Sequence, residues 1–199
     1  MAEVITKTYI NTSNVINQCD IFRDIEYVEY ALESEETIEV SKIHFPYAIV
    51  LTQACDLQQD YDAKLRIIEQ GKGNQDKFLI SAIVAPVYNF EDFLQGNHLN
   101  QLGMNMTVFP SRSKTLTKNI IENENKRYHY LKFDEKVSIV ESIIDFKHYF
   151  TVSVNYLASI YQTNYVCSVE SLYRELISQR FSNFLSRIGL PDPNEQFFK

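Results

Sequence analysis

The stretch 43–57 constrains the fold more than any other part of the chain. Tyr47, Ala48, Ile49, Val50 and Leu51 form a nearly continuous apolar run of β-formers, which predicts a strand buried on both faces. Pro46 has no amide to donate to a ladder, so it is expected where that strand begins. Beyond Leu51 the chain turns abruptly polar, at Thr52, Gln53, Ala54, Cys55 and Asp56. Polar side chains leaving the end of a rigid strand are well placed to build a site.

Other elements are read around this strand. Cys19, Asp20, Ile21 and Phe22 open an earlier one, and 25–32 alternates with Val28, Tyr30 and Leu32 on one face. The charged turn Glu33, Ser34, Glu35, Glu36 leads to a partner strand over 37–43, so a β-meander enters the central strand. The segment 58–76 reads as a polar connection with a glycine-bearing loop. The run 77–85 predicts a second buried strand, stopped by Pro86. Asn89 is placed to cap a short helix to about Leu94, and Ser111 or Ser113 to cap another through Leu116, Ile120 and Ile121. Strands are expected over 127–133 and 137–144, and a strand or turn followed by a short helix over 146–157. Ser168 is expected to cap a closing helix with the stripe Leu172, Leu176, Phe181, Phe184, Leu185 and Ile188. Gly189 and Pro191 would stop it.

With 45% hydrophobic residues, 199 residues suffice for a single α+β domain with a substantial core. No apolar run approaches the roughly 20 residues of a membrane span, and the start of the chain has no signal-peptide pattern. Cys19, Cys55 and Cys167 are too scattered for a disulfide framework or a metal knuckle, so a reduced, cytoplasmic setting is expected. Neither a metal nor a cofactor is indicated. The net charge of −7 is uneven. Arg112, Lys114, Lys118, Lys126, Arg127 and Lys132 face only Glu122 and Glu124 within 110–132, a local +4 that leaves −11 elsewhere.

The order of these pieces resembles the PemK/MazF family of SH3-like β-barrels, whose founding members are toxin ribonucleases. Cys19-Asp20-Ile21 is similar to the family's Gly-Asp-Ile opening, with the glycine replaced, which implies a different opening turn. The run from Phe45 through Thr52 resembles its Arg-Pro strand, Ile83-Val84-Ala85-Pro86-Val87-Tyr88 its Val-Ala-Pro segment, and 138–157 the stretch before its last helix. The resemblance implies barrel strands within 18–88 and 127–152, an inserted α/β segment at about 89–134, and a C-terminal helix at about 168–188. It also implies a setting among toxin–antitoxin, mobile-element or phage-defence systems. The family's catalytic Arg and hydroxyl fall on Phe45 and Tyr88. Phenylalanine supplies no cation, so ribonuclease activity is not expected to carry over.

The candidate ligand- or partner-binding residues are therefore Thr52, Gln53, Cys55, Asp56, Tyr88, Arg112, Lys114 and Arg127. A catalytic Cys55 would need a histidine brought beside it from His44, His98, His129 or His148. Asp56, Asp60 and Asp62 could present oxygens to a cation, although their spacing matches no established loop. Arg127-Tyr128-His129-Tyr130 could stack bases while Arg112, Lys114 and Lys126 meet phosphate, or could pack as a half-exposed strand. The closing helix's stripe suits either core or a homodimer seam. The expectation is a non-catalytic binding or regulatory module with a protein partner rather than nucleic acid or membrane. Its alternative is a diverged nuclease or a cysteine-dependent hydrolase.

Overall fold

The computed structural model of the protein describes residues 4–13, 15–71, 73–110 and 114–187. These form a mixed α+β architecture, a strongly curled antiparallel half-barrel sheet with five helices. The strands are β1 (Thr8–Tyr9), β2 (Asp20–Ser34), β3 (Thr37–Val50), β4 (Ser81–Asn89), β5 (Tyr128–Leu131), β6 (Ser142–Asp145), β7 (Phe150–Ser153) and β8 (Tyr165–Val169). The helices are α1 (Ala54–Gln70), α2 (Phe90–Leu94), α3 (Thr115–Ile121), α4 (Val154–Asn164) and α5 (Ser171–Leu185). The sheet runs β1-β8-β2-β3-β4-β6-β5, with β7 also on β4.

The central strands are buried on both faces, as the apolar run at 47–51 predicts. Ile21, Ile49 and Ala85 point to one face and pack with Ile177, Phe181 and Phe184 of α5. Phe22, Ala48, Val50 and Val84 point to the other, against Leu57 of α1 and Leu157 and Tyr161 of α4. Each fully buried side chain of this size contributes about 1.5–3 kcal/mol. A third, aromatic cluster joins Tyr88, Phe90, Phe93, Tyr128 and Tyr130 around the segment between β4 and β6. Arg180 of α5 clamps that segment by donating to the carbonyls of Asn123, Asn125 and Tyr128.

Several elements differ from the sequence reading for identifiable reasons. The segment 58–76 is not a plain connection, because α1 occupies most of it and ends at Gly71, φ 64°, whose N–H reaches the Ile67 carbonyl. Its buried stripe is Leu57, Asp60 and Ala63, and an aspartate in the stripe hides the helical period. Asp60 is tolerated there because it accepts from Lys64 Nζ and from the Leu79 amide, both at 2.8 Å. Ser168 lies inside β8 and caps nothing; α5 starts at Ser171. Leu172, Leu176 and Leu185 of the expected stripe are exposed, and Ile177 takes the core position with Phe181 and Phe184. Ser111, Ser113, Ile188, Gly189 and Pro191 lie outside the described residues.

The prolines also sit differently. Pro86 does not end β4. It faces Ala48 on one side, and on the other lies between the β7 pairing, which ends at Val84↔Phe150, and the β6 pairing, which begins at Val87↔Ile144. Three residues of β4 there span six of the neighbouring strand, which loops out through a turn at Phe146–His148. No partner needs the missing N–H. Pro46 lies within β3, opposite Asp24, which adopts φ 55° between the pairs Arg23↔Tyr47 and Ile25↔Phe45. Cys19 takes φ 62°, so the opening turn is left-handed even without glycine.

Candidate functional site

The sheet opens where these prolines stand. β3 pairs with β4 only at Ala48↔Pro86, Ile49↔Ala85 and Val50↔Val84, after which the strands diverge. The bond from the Leu51 amide to the Ile83 carbonyl turns the odd-numbered residues of the two strands toward each other, so the missing N–H of neither Pro46 nor Pro86 faces this gap. The gap becomes a cleft of about 350 Å³ between residues 43–47 of β3 and 86–89 of β4, closed over by the 97–102 segment. Phe45, Tyr47, Tyr88 and Leu99 give it apolar walls, while His98 and Gln101 bring polar groups. Neither lysine nor arginine lines it.

Behind the wall runs a polar chain. Arg127 donates from Nε and Nη2 to the two carboxylate oxygens of Asp145, at 2.8 and 2.5 Å. Asp145 is fully buried at the end of β6 and also accepts the Lys147 amide. His148 Nε2 faces Asp145 Oδ2 at 3.5 Å, so the tautomer with its proton on Nε2 turns that proton toward the carboxylate. Nδ1 then accepts from the Tyr88 hydroxyl at 3.1 Å. Burial, with Asp145 nearby, pushes the Tyr88 phenol up, so it stays protonated. Burial also lowers the His148 imidazole.

His98 is the exception to this satisfaction. Its ring packs on Tyr88 at 4.8 Å and lies 6.4 Å from the His148 ring, centroid to centroid. Both of its nitrogens are sealed from solvent without a hydrogen-bond partner among the described residues. Burial, reinforced by His148, lowers its pKa to about 4, so at neutral pH it offers one donor and one acceptor. A buried polar atom left unanswered costs about 1–3 kcal/mol, which a ligand able to pair with it would remove.

The sequence-predicted residues fall in three places. Tyr88 alone reaches the cleft. Thr52, Gln53, Cys55 and Asp56 cluster at the start of α1. There Thr52 Oγ1 accepts the Ile83 amide at 2.7 Å, so its hydroxyl ties the strand end to β4. Cys55 is exposed and its thiol points to Gln53 Oε1 and Asp56 Oδ1, at 3.6 and 3.7 Å. These contacts contain acceptors and no histidine, so the base required by a catalytic Cys55 does not arrive. Asp56 is exposed, Asp60 is buried against Lys64, and Asp62 accepts from Gln58 Nε2.

The basic segment is divided in the same way. Lys114 is exposed at the N-cap of α3, Arg127 is taken up by Asp145, and Lys132 pairs with Glu141 at 3.1 Å. Arg112 lies outside the described residues. Tyr128, His129 and Tyr130 are all buried in β5, which removes them as an exposed stacking surface. His98, Asp145 and His148 were missed because they lie on a patternless loop and beside a strand interruption. Phe45 and Tyr88, in ring contact at 6.4 Å, and Arg127 were marked in advance, and His98 and His148 only as possible partners of Cys55. Comparison of the chain with protein-family models, curated proteins and solved structures finds no match to any of them.

Proposed function

We propose that the protein is a non-catalytic recognition module, on a barrel-like sheet of PemK/MazF type, whose cleft receives a side chain of a protein partner. The observation that carries this is His98 on the wall of an aromatic-lined cleft, a neutral imidazole whose two unanswered nitrogens are sealed until the ring turns toward a ligand. Such a site suits a planar or hydroxyl-bearing group that both donates and accepts. It does not suit a phosphate, since neither Lys nor Arg lines it and Asp92 does. The two positions matching the family's catalytic Arg and hydroxyl meet there as Phe45 and Tyr88, which can enclose a ligand but cannot stabilise an anion. The resemblance would set such a module in a cytoplasmic toxin–antitoxin, mobile-element or defence setting.

The test pairs binding with cleavage. Titration with N-acetyl-tyrosinamide should move the ring ¹⁵N resonances of His98, His98→Ala should remove the response, and single-stranded RNA should remain intact. A second reading rests on the Tyr88–His148–Asp145 chain, which has the form of a base oriented by a carboxylate. RNA cleavage that vanishes in His148→Ala would place that enzymatic reading first.

A further inference from the structure

Beyond the core, β2 and β3 continue as a bare two-stranded ribbon. β2 pairs with β8 only at 20–22 and β3 with β4 only at 48–50, so residues 23–47 have no third strand. Tyr30 and Leu32 are exposed on one face, and Val28, Ile38 and Val40 on the other. A bulge between Val28 and Tyr30 shifts the register by one and splits the expected single face into two. Between residues 26 and 42 there are six glutamates and one lysine, and Lys42 is already held by Glu26 at 2.7 Å.

The two edges of this ribbon are not equivalent. The β2 edge is broken by the bulge near Glu29 and by the left-handed Asp24. The β3 edge runs from Thr37 to Phe45 without bulge or proline, an open template for another strand. That edge leads into the cleft, whose wall begins at Ile43, His44 and Phe45.

We propose that an extended peptide bearing lysine or arginine alternately with apolar residues adds along β3 at 37–45, its end residue entering the cleft at His98. This rests on the recognition reading above and names its partner. Charge decides the occupant: the acidic ribbon attracts a basic strand and repels a second copy of itself, while the apolar residues of one face receive the intervening side chains.

The probe is a fluorescein-labelled peptide alternating Lys with Val and ending in a Tyr amide, about nine residues long to match 37–45. The full chain should bind it, more weakly as salt rises from about 0.01 to 0.15 M. Amide hydrogen exchange should slow at 37–45. The double variant Glu33→Lys/Glu39→Lys should weaken binding at least about tenfold, while Glu69→Lys/Glu135→Lys, an equal change in net charge elsewhere, should not. Absence of binding, equal binding of a Glu-for-Lys peptide, equal loss in both double variants, or protection at 23–34 would each overturn the proposal. So would self-association through the ribbon in place of peptide uptake. If N-acetyl-tyrosinamide still moves His98 while the ribbon shows no protection, strand addition fails and the cleft reading stands. If the ribbon is protected but His98→Ala leaves peptide affinity unchanged, strand addition holds and the cleft's part in it fails.

Discussion

Asp20 and Asp145 are both fully buried at the ends of strands, yet their surroundings answer them differently. Asp20 is met by neutral groups: Ser168 Oγ donates to Oδ1 at 2.5 Å and the Asn17 amide to Oδ2 at 2.8 Å. Burial outweighs these bonds and raises its pKa to about 7. Asp145 is met by the Arg127 guanidinium on both oxygens. Equal burial is thus met by neutral donors in one place and by a guanidinium in the other. What matters for a buried carboxyl is whether its partner carries a charge. The Asp145 pair holds the wall of the cleft, while Asp20 ties the leading segment to β2 and β8.

A further buried aspartate, one with no polar partner, would be the most severe test of this contrast. Ile49→Asp, at a fully buried position between Ile21 and Ala85, should leave no cooperative unfolding transition. An unpaired buried charge costs several kcal/mol against a total stability of about 5–15 kcal/mol. A normal melt would remove the core assignment.

Next in size is Asp145→Ala, which strands Arg127 beside Tyr88 and His148. Arg127 keeps partial access to water, so the loss in denaturant unfolding should fall at the lower end for a broken buried pair, about 3 kcal/mol. A loss below about 1 kcal/mol, the scale of an exposed pair, would mean that the two aspartates are not distinguished by their partners.

For Asp20 the effect is one of pH. Its folded pKa of about 7 lies above the ordinary carboxyl value, so the folded state holds the proton more tightly. The resulting stability is complete below about pH 4 and is lost as pH rises through 7, on the order of a few kcal/mol in all. Asp20→Asn should flatten this slope and exceed the parent in stability above pH 7. Parallel pH profiles of denaturation midpoint for parent and variant would refute the assignment.

The smallest effect on stability is expected at the unanswered group. His98→Ala breaks no hydrogen bond, so its unfolding free energy should stay within about 1 kcal/mol of the parent. A loss of several kcal/mol would make His98 a packing residue like Phe93, which its ring also touches.

Much of this was legible from residues alone, because local chemistry sufficed. The β2–β3 hairpin, the existence of β4 and β5, the Asn89 cap on α2 and a closing helix all follow from short-range pattern and turn chemistry. Asn89 accepts the Glu91 amide at 2.8 Å as a capping side chain should. The net acidity and the glutamates of the ribbon were likewise written in the composition. Tertiary structure decided the rest. Asp60 can sit in a helix's buried stripe only because Lys64 and the distant Leu79 amide meet it there. Pro86 can continue a strand only because its neighbour loops out beside it. The cleft joins Phe45, Tyr88 and His98, residues with no local pattern in common, and it exists because β3 and β4 part beyond the pair Ala48↔Pro86. Sequence determines which groups are available and which faces are apolar; the crossing of distant segments decides which polar atoms are answered. That final pairing depends on long-range geometry, to which periodicity and propensity are blind.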